Sequence, residues 1–255
     1  MTTLEEAKAL KAKGFAFIPL LKGKKHNGDD SILERDYTLE HLQNPLTGKF
    51  GLMWDVDGNL GINLKKSGLY DIDFDNPLAI YFAKLWLPQN TLILGRRYPD
   101  GKEELTHWFF RADGTVPDND SRKNLANEST VELFVDRNIV VYGTTMHKEL
   151  KIPMTRFWHN DASPALFDES VKRIFNTIAF ACAVAPHMTS ANTGLLKLDS
   201  CLYRYCKDWT DDDRERFLLD FISKVLPTSK EATPAKIRRI IKANNDDSTN
   251  NAGYN

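Results

Sequence analysis

The stretch Gly68-Leu69-Tyr70-Asp71-Ile72-Asp73-Phe74-Asp75-Asn76-Pro77 constrains this chain more than any other. Tyr70, Ile72 and Phe74 alternate with Asp71, Asp73 and Asp75. A period of two marks a β-strand, so the aspartates share one face and the apolar side chains the other. Asn76-Pro77 stops the run and opens a helix, with Asn76 as its cap. Carboxylates two residues apart on a stiff strand repel one another, and a hard divalent cation, Mg²⁺ or Mn²⁺, relieves that repulsion. A solvated face on an edge strand is the alternative.

At 255 residues, 42% hydrophobic and 27% charged, the chain has the makings of one large domain or two small ones. A net charge of −1 argues against coating nucleic acid by bulk electrostatics and leaves room for a local basic groove. No apolar stretch approaches a membrane span, and the first six residues begin an acidic-then-basic helix rather than a secretory signal. Cys182, Cys201 and Cys206 form no C-x-x-C pair and read as buried free thiols, which makes the cytoplasm the expected address.

Taken in order, residues 3–12 read as a helix and 14–20 as a first strand. Gly23-Lys24-Lys25-His26-Asn27-Gly28 reads as a solvated basic turn ahead of a phosphate contact. Thr38 caps a short helix. Residues 50–54 and 60–64 form a hairpin across Asp57-Gly58, where Asp55 and Asp57 imitate a metal pair. A helix over 77–87 is followed by strands at 91–94 and 104–110, a polar mobile loop over 113–127, and strands at 130–134 and 139–142 paired across Asp136-Arg137-Asn138. After Trp158 the pattern turns helical, at 167–185, 195–206, 210–225 and 233–243, and a polar tail from Asn244 is expected to be disordered.

Three further candidates lie on these strands. His107 stands between apolar residues, where core histidines are common. Glu132 sits inside an apolar strand, which is costly unless it is solvated or meets a cation. Arg96 follows a buried strand, where a guanidinium can grip a phosphate.

The order of these segments resembles the bifunctional DNA primase/polymerase (prim-pol) family of the archaeo-eukaryotic primase superfamily. The resemblance rests on Ser67-Gly68-Leu69-Tyr70-Asp71-Ile72-Asp73, Leu87-Pro88, Leu94-Gly95-Arg96, Thr106-His107-Trp108-Phe109-Phe110, Val131-Glu132-Leu133 and Tyr142-Gly143-Thr144-Thr145-Met146-His147, with Trp158 after them. It covers residues 45–160. Thr106 replaces the usual serine, Thr144-Thr145 replaces proline-serine, and Tyr98-Pro99-Asp100-Gly101 looks like an inserted turn.

The resemblance implies an α+β fold: a mixed α/β primase-polymerase domain with an RRM-like sheet core at 1–160, a helical accessory domain at 161–243 and a tail at 244–255. It implies that Asp71, Asp73 and Glu132 hold two divalent cations, Mg²⁺ or Mn²⁺, and that His107 and Arg96 contact the triphosphate. Thr145 and His147 would close the pocket, and Asp75 would start the following helix rather than bind metal. The implied activity is nucleotidyl transfer from dNTPs or NTPs, making and extending primers on single-stranded DNA for a viral or plasmid replicon. The basic amphipathic segment over 233–243 is a candidate template contact, its alternative being an ordinary surface helix. No G-x-x-x-x-G-K-[ST] loop occurs, so a helicase would act in trans or in a longer chain. A metal-dependent nuclease and an inactive single-strand-binding replication module are the competing functions.

Overall fold

The computed structural model describes residues 2–27, 31–43, 58–112, 121–124, 130–147, 150–188, 191–227 and 233–251. In chain order the first elements are α1 (Thr3–Ala12), β1 (Phe17–Leu20), α2 (Leu39–Gln43), β2 (Asn59–Asn63), α3 (Leu64–Ser67), β3 (Leu69–Phe74) and α4 (Pro77–Trp86). Then come β4 (Leu92–Arg97), β5 (Glu103–Arg111), β6 (Ser121–Asn124), β7 (Thr130–Phe134), β8 (Asn138–Tyr142), β9 (Thr144–Met146), β10 (Pro153–Trp158) and β11 (Ala165–Leu166). The helices α5 (Glu169–Val184), α6 (Ala191–Tyr205), α7 (Asp211–Val225) and α8 (Pro234–Asn251) complete the chain. The fold is mixed α+β.

Contacts divide the chain into two compact units. One comprises Met1–Asp75, Pro88–Arg122 and Glu132–Phe167; the other comprises Asn76–Leu87, Lys123–Val131 and Asp168–Asn255. Helix α4, from the middle of the sequence, thus belongs with the C-terminal helices.

Among the described residues of the first unit, β1-β2-β8 form a small antiparallel sheet. A larger sheet runs β6-β7-β3-β5-β4-β10-β9, with β11 added in parallel to β5. Tyr70, Ile72 and Phe74 are buried, as the alternation requires, and Phe74 meets Trp108 edge to face at 5.4 Å. On the aspartate face, Leu69 and Phe109 join a core with Leu10, Phe17, Leu60 and Ile62. Both faces of β3 are therefore covered at its start, and only its far end opens. Gly95 lets β10 lie close, since a Cβ there would strike the Phe157 ring and the Glu104 carbonyl.

One expectation changes. Strands β7 and β8 are consecutive but do not pair: β7 neighbours β3 in the large sheet, while β8 pairs with β2. The reason lies in β8 itself. Ile139 and Val141 enter the main core while Val140 packs on Ile18 and Leu20, so both of its faces need apolar cover. Residues 50–57 of the expected hairpin lie outside the described residues. Most of the expected polar loop at 113–127 also lies outside them.

In the second unit, Phe82 of α4 stacks on Phe217 and Phe221 of α7, with ring centroids 5.3 and 6.0 Å apart. Trp86 stacks on Trp209 at 5.1 Å. Thr210 caps α7 through a capping box with Asp213. Helix α8 runs on through Asn251 instead of ending at Ala243. Asn244 donates to Asp199 Oδ2 at 2.7 Å, and Asn245 Oδ1 accepts from buried Arg214 at 2.6 Å. Those bonds hold in helical form a segment whose composition alone reads as tail.

Candidate active site

The first unit brings acids and bases together on one face of its large sheet. The β3–β5 register sets Asp73 opposite His107 and Asp71 opposite Phe109. In sheet order, β7 and β3 carry the acids Glu132, Asp71 and Asp73, while β5, β4 and β10 carry His107, Arg96 and Arg156, and β9 carries Thr145. Acidic strands thus give way to cationic ones across the sheet.

Burial falls along β3. The Asp71 side chain is 0% exposed, Asp73 16% and Asp75, just past the strand end, 50%. This gradient separates three aspartates that look equivalent in sequence. Asp71 Oδ2 lies 2.9 Å from His107 Nδ1, and its Oδ1 has no hydrogen-bond partner among the described residues. Burial raises the Asp71 carboxyl well above the usual carboxylate range, Arg156 opposes that rise, and Glu132 adds to it. Asp73 is raised to about 7, again by burial first, with His107 opposing and Asp75 and Asp71 reinforcing.

Asp73, Asp75 and Glu132 each offer a carboxylate oxygen, and these atoms lie within 4.8 Å of one another. They can hold a metal ion. All-oxygen donors of this kind suit a hard divalent cation such as Mg²⁺ or Mn²⁺. Asp71, with Oδ2 beside His107 Nδ1, is not one of these three, and Asp75 is. The helix cap expected near Asp75 is Asn76, whose side chain accepts from Leu78 N and Ala79 N.

His107 is buried, which lowers its pKa to about 4, against the pull of Asp73. Arg156 Nη1 faces His107 Nε2 at 3.4 Å and also reaches Thr106 Oγ1. A guanidinium only donates, so Nε2 is the acceptor and the ring proton sits on Nδ1, aimed at Asp71. Arg156 is a residue of this site that sequence reasoning did not single out. It lies within the charge field of Asp71, Asp73 and Asp75, and its Nε has no hydrogen-bond partner among the described residues. Its only sequence signal is the alternation Met154-Thr155-Arg156-Phe157, which places it on one strand face.

Arg96 reaches the site but is already engaged. Its Nε and Nη2 each lie 2.9 Å from Glu104 Oε2, and Nη1 lies 3.3 Å from Asp75 Oδ1. Burial would raise Glu104, yet hydrogen bonds from Lys102, Tyr98 and Arg96 hold it near 2, so the Arg96 pair persists across ordinary pH. Thr145 is buried, and its Oγ1 has no hydrogen-bond partner among the described residues. His147 lies at the rim beside Tyr98, ring centroids 6.0 Å apart, and its Nδ1 accepts from Leu150 N.

No protein-family model matches this chain, and no curated protein matches it. No described helix is long and apolar enough to cross a membrane.

Proposed function

We propose that this chain is a metal-dependent nucleotidyltransferase that makes and extends primers on single-stranded DNA. The reading joins the prim-pol-like order of its motifs to one observation: three carboxylates within 4.8 Å of one another share a sheet face with His107 and Arg156. Asp73, Asp75 and Glu132 would hold the first Mg²⁺ or Mn²⁺, and Asp71, whose Oδ1 lacks a partner among the described residues, is the added donor for a second. A bound cation supplies charge neutralisation at the phosphates and lowers the pKa of an attacking hydroxyl.

The chain's own residues do the rest. Arg156 carries the buried positive charge that meets the nucleotide's phosphates, and its uncommitted Nε is the donor they would take up. Asp71 fixes the ring of His107, so that its orientation is set before substrate arrives. Arg96 braces Asp75 against Glu104 and acts as a positioning residue rather than a phosphate ligand. In the reaction the primer 3′-oxygen bonds to the α-phosphorus, the bond to pyrophosphate breaks, and the hydroxyl proton passes to solvent water while pyrophosphate leaves with the electron pair of the broken bond.

The test is extension of an annealed primer with dNTPs and Mg²⁺ or Mn²⁺. Wild-type protein should lengthen the primer, and Asp73→Asn and Glu132→Gln should each abolish this while the proteins stay folded by circular dichroism. Shortening of the template by wild type would favour a phosphodiesterase instead.

A further inference from the structure

The basic loop over 21–26 is tied to this site. Lys24 N donates to Leu21 O and Leu21 N to His26 O, which closes the turn on itself. Gly23, at φ +73°, bridges in parallel to Thr145. Buried Asn59 donates to Lys24 O and also pairs with Thr144 at both its carbonyl and its N–H, while Asn138 donates to Lys25 O at 3.0 Å. Gly143, at φ +98°, leaves the space that Asn59 needs, since a Cβ there would strike its side chain.

Three strands, β2, β8 and β9, therefore hold the backbone of this loop at the end of the sheet next to Arg156. Its lysines stay exposed, and Lys22, Lys24 and Lys25 have no carboxylate partner among the described residues. The charge of Lys25 is nevertheless felt at buried His107. Under the loop lies Thr145, with its hydroxyl lacking a hydrogen-bond partner among the described residues. A fixed backbone carrying an uncommitted cation beside buried, uncommitted donors is the arrangement a polyanion needs. Arg96, the residue the sequence suggests for that task, is spent on Asp75 and Glu104.

We propose that the loop Leu21–His26 grips the pyrophosphate end of a nucleoside triphosphate, with Lys25 on the β- and γ-phosphates and Thr145 Oγ1 donating beneath it. This rests on the nucleotidyl-transfer reading and assigns a part of the substrate to residues outside the acidic cluster. An exposed lysine whose charge reaches the site can follow the phosphate tail and release it with the departing pyrophosphate.

The experiment titrates the full chain into a fluorescently labelled dNTP and, separately, into labelled single-stranded DNA, in each case with Mg²⁺. Lys25→Ala should weaken dNTP binding about tenfold, Lys25→Arg should restore most of it, and Lys8→Ala, at an exposed position of α1, should change it little. Unlabelled deoxynucleoside monophosphate should compete equally well against wild type and Lys25→Ala, because it lacks the phosphates concerned. Single-strand affinity should be unchanged. Wild-type dNTP affinity in Lys25→Ala would overturn the proposal and leave the transferase reading standing. A loss confined to single-stranded DNA would overturn it in favour of a template contact. Failure of wild type to bind dNTP at all would overturn the transferase reading and the loop's role together.

Discussion

Asp73→Asn should stabilise the protein while destroying its activity. In an unfolded chain this carboxyl releases its proton near pH 3.8; in the fold it keeps it up to about 7. Across that window the folded state binds more protons, so stability falls as pH rises, and the loss is complete above about pH 7. The gap of roughly three on the pH scale corresponds to about 4 kcal/mol at ~1.36 kcal/mol per pH unit. The side chain's 16% exposure screens part of it. A cost of about 2–4 kcal/mol is the working figure, equivalent to roughly 5–15 °C in melting temperature for a chain of this size. Asparagine keeps the shape and removes the charge. By differential scanning calorimetry in metal-free buffer, the variant should melt higher than wild type at pH 8 and at the same temperature near pH 4. Mg²⁺ should raise the melting temperature of wild type at pH 8 and leave the variant where it was. A variant no more stable than wild type at pH 8 would refute the argument, because it would mean that burial and the neighbouring acids place no strain on an ionised Asp73.

Two further substitutions probe the cationic side. Arg156→Gln should weaken dNTP binding at least tenfold in an anisotropy titration, and a change under twofold would remove Arg156 from the phosphate site. His107→Ala takes the donor from Asp71 Oδ2, so urea unfolding should show a loss of about 1–3 kcal/mol. The same variant should bind dNTP more weakly with single-strand affinity intact, and equal loss of both would return His107 to a purely structural role.

The local features of this fold are legible in sequence because they depend on near neighbours. The alternation at 69–75 reads directly as β3, Asn76-Pro77 as the start of α4, and Thr210 to Asp213 as the cap of α7. The division of labour among the aspartates is not legible. Asp71, Asp73 and Asp75 have the same spacing and the same kind of neighbours. What separates them is the core of Leu69 and Phe109 at one end of the strand and open solvent at the other. Arg156 stays hidden for a related reason: an arginine between Thr155 and Phe157 looks like a surface residue until β10 is laid against β4. The partners of β7 and β8 are likewise a tertiary choice, made by the need of Val140 for Ile18 and Leu20. Asn244 and Asn245 look like tail until buried Arg214 and Asp199 give their amides something to bind.

Primer synthesis is tested on an unprimed template. Wild-type protein would be incubated with circular single-stranded DNA, labelled nucleotides and Mg²⁺ or Mn²⁺, and the products resolved on a denaturing gel. A ladder of labelled oligonucleotides should form that requires the divalent cation and disappears in Asp73→Asn. A blank lane from wild type, under conditions where it binds the DNA and the nucleotide, would contradict it.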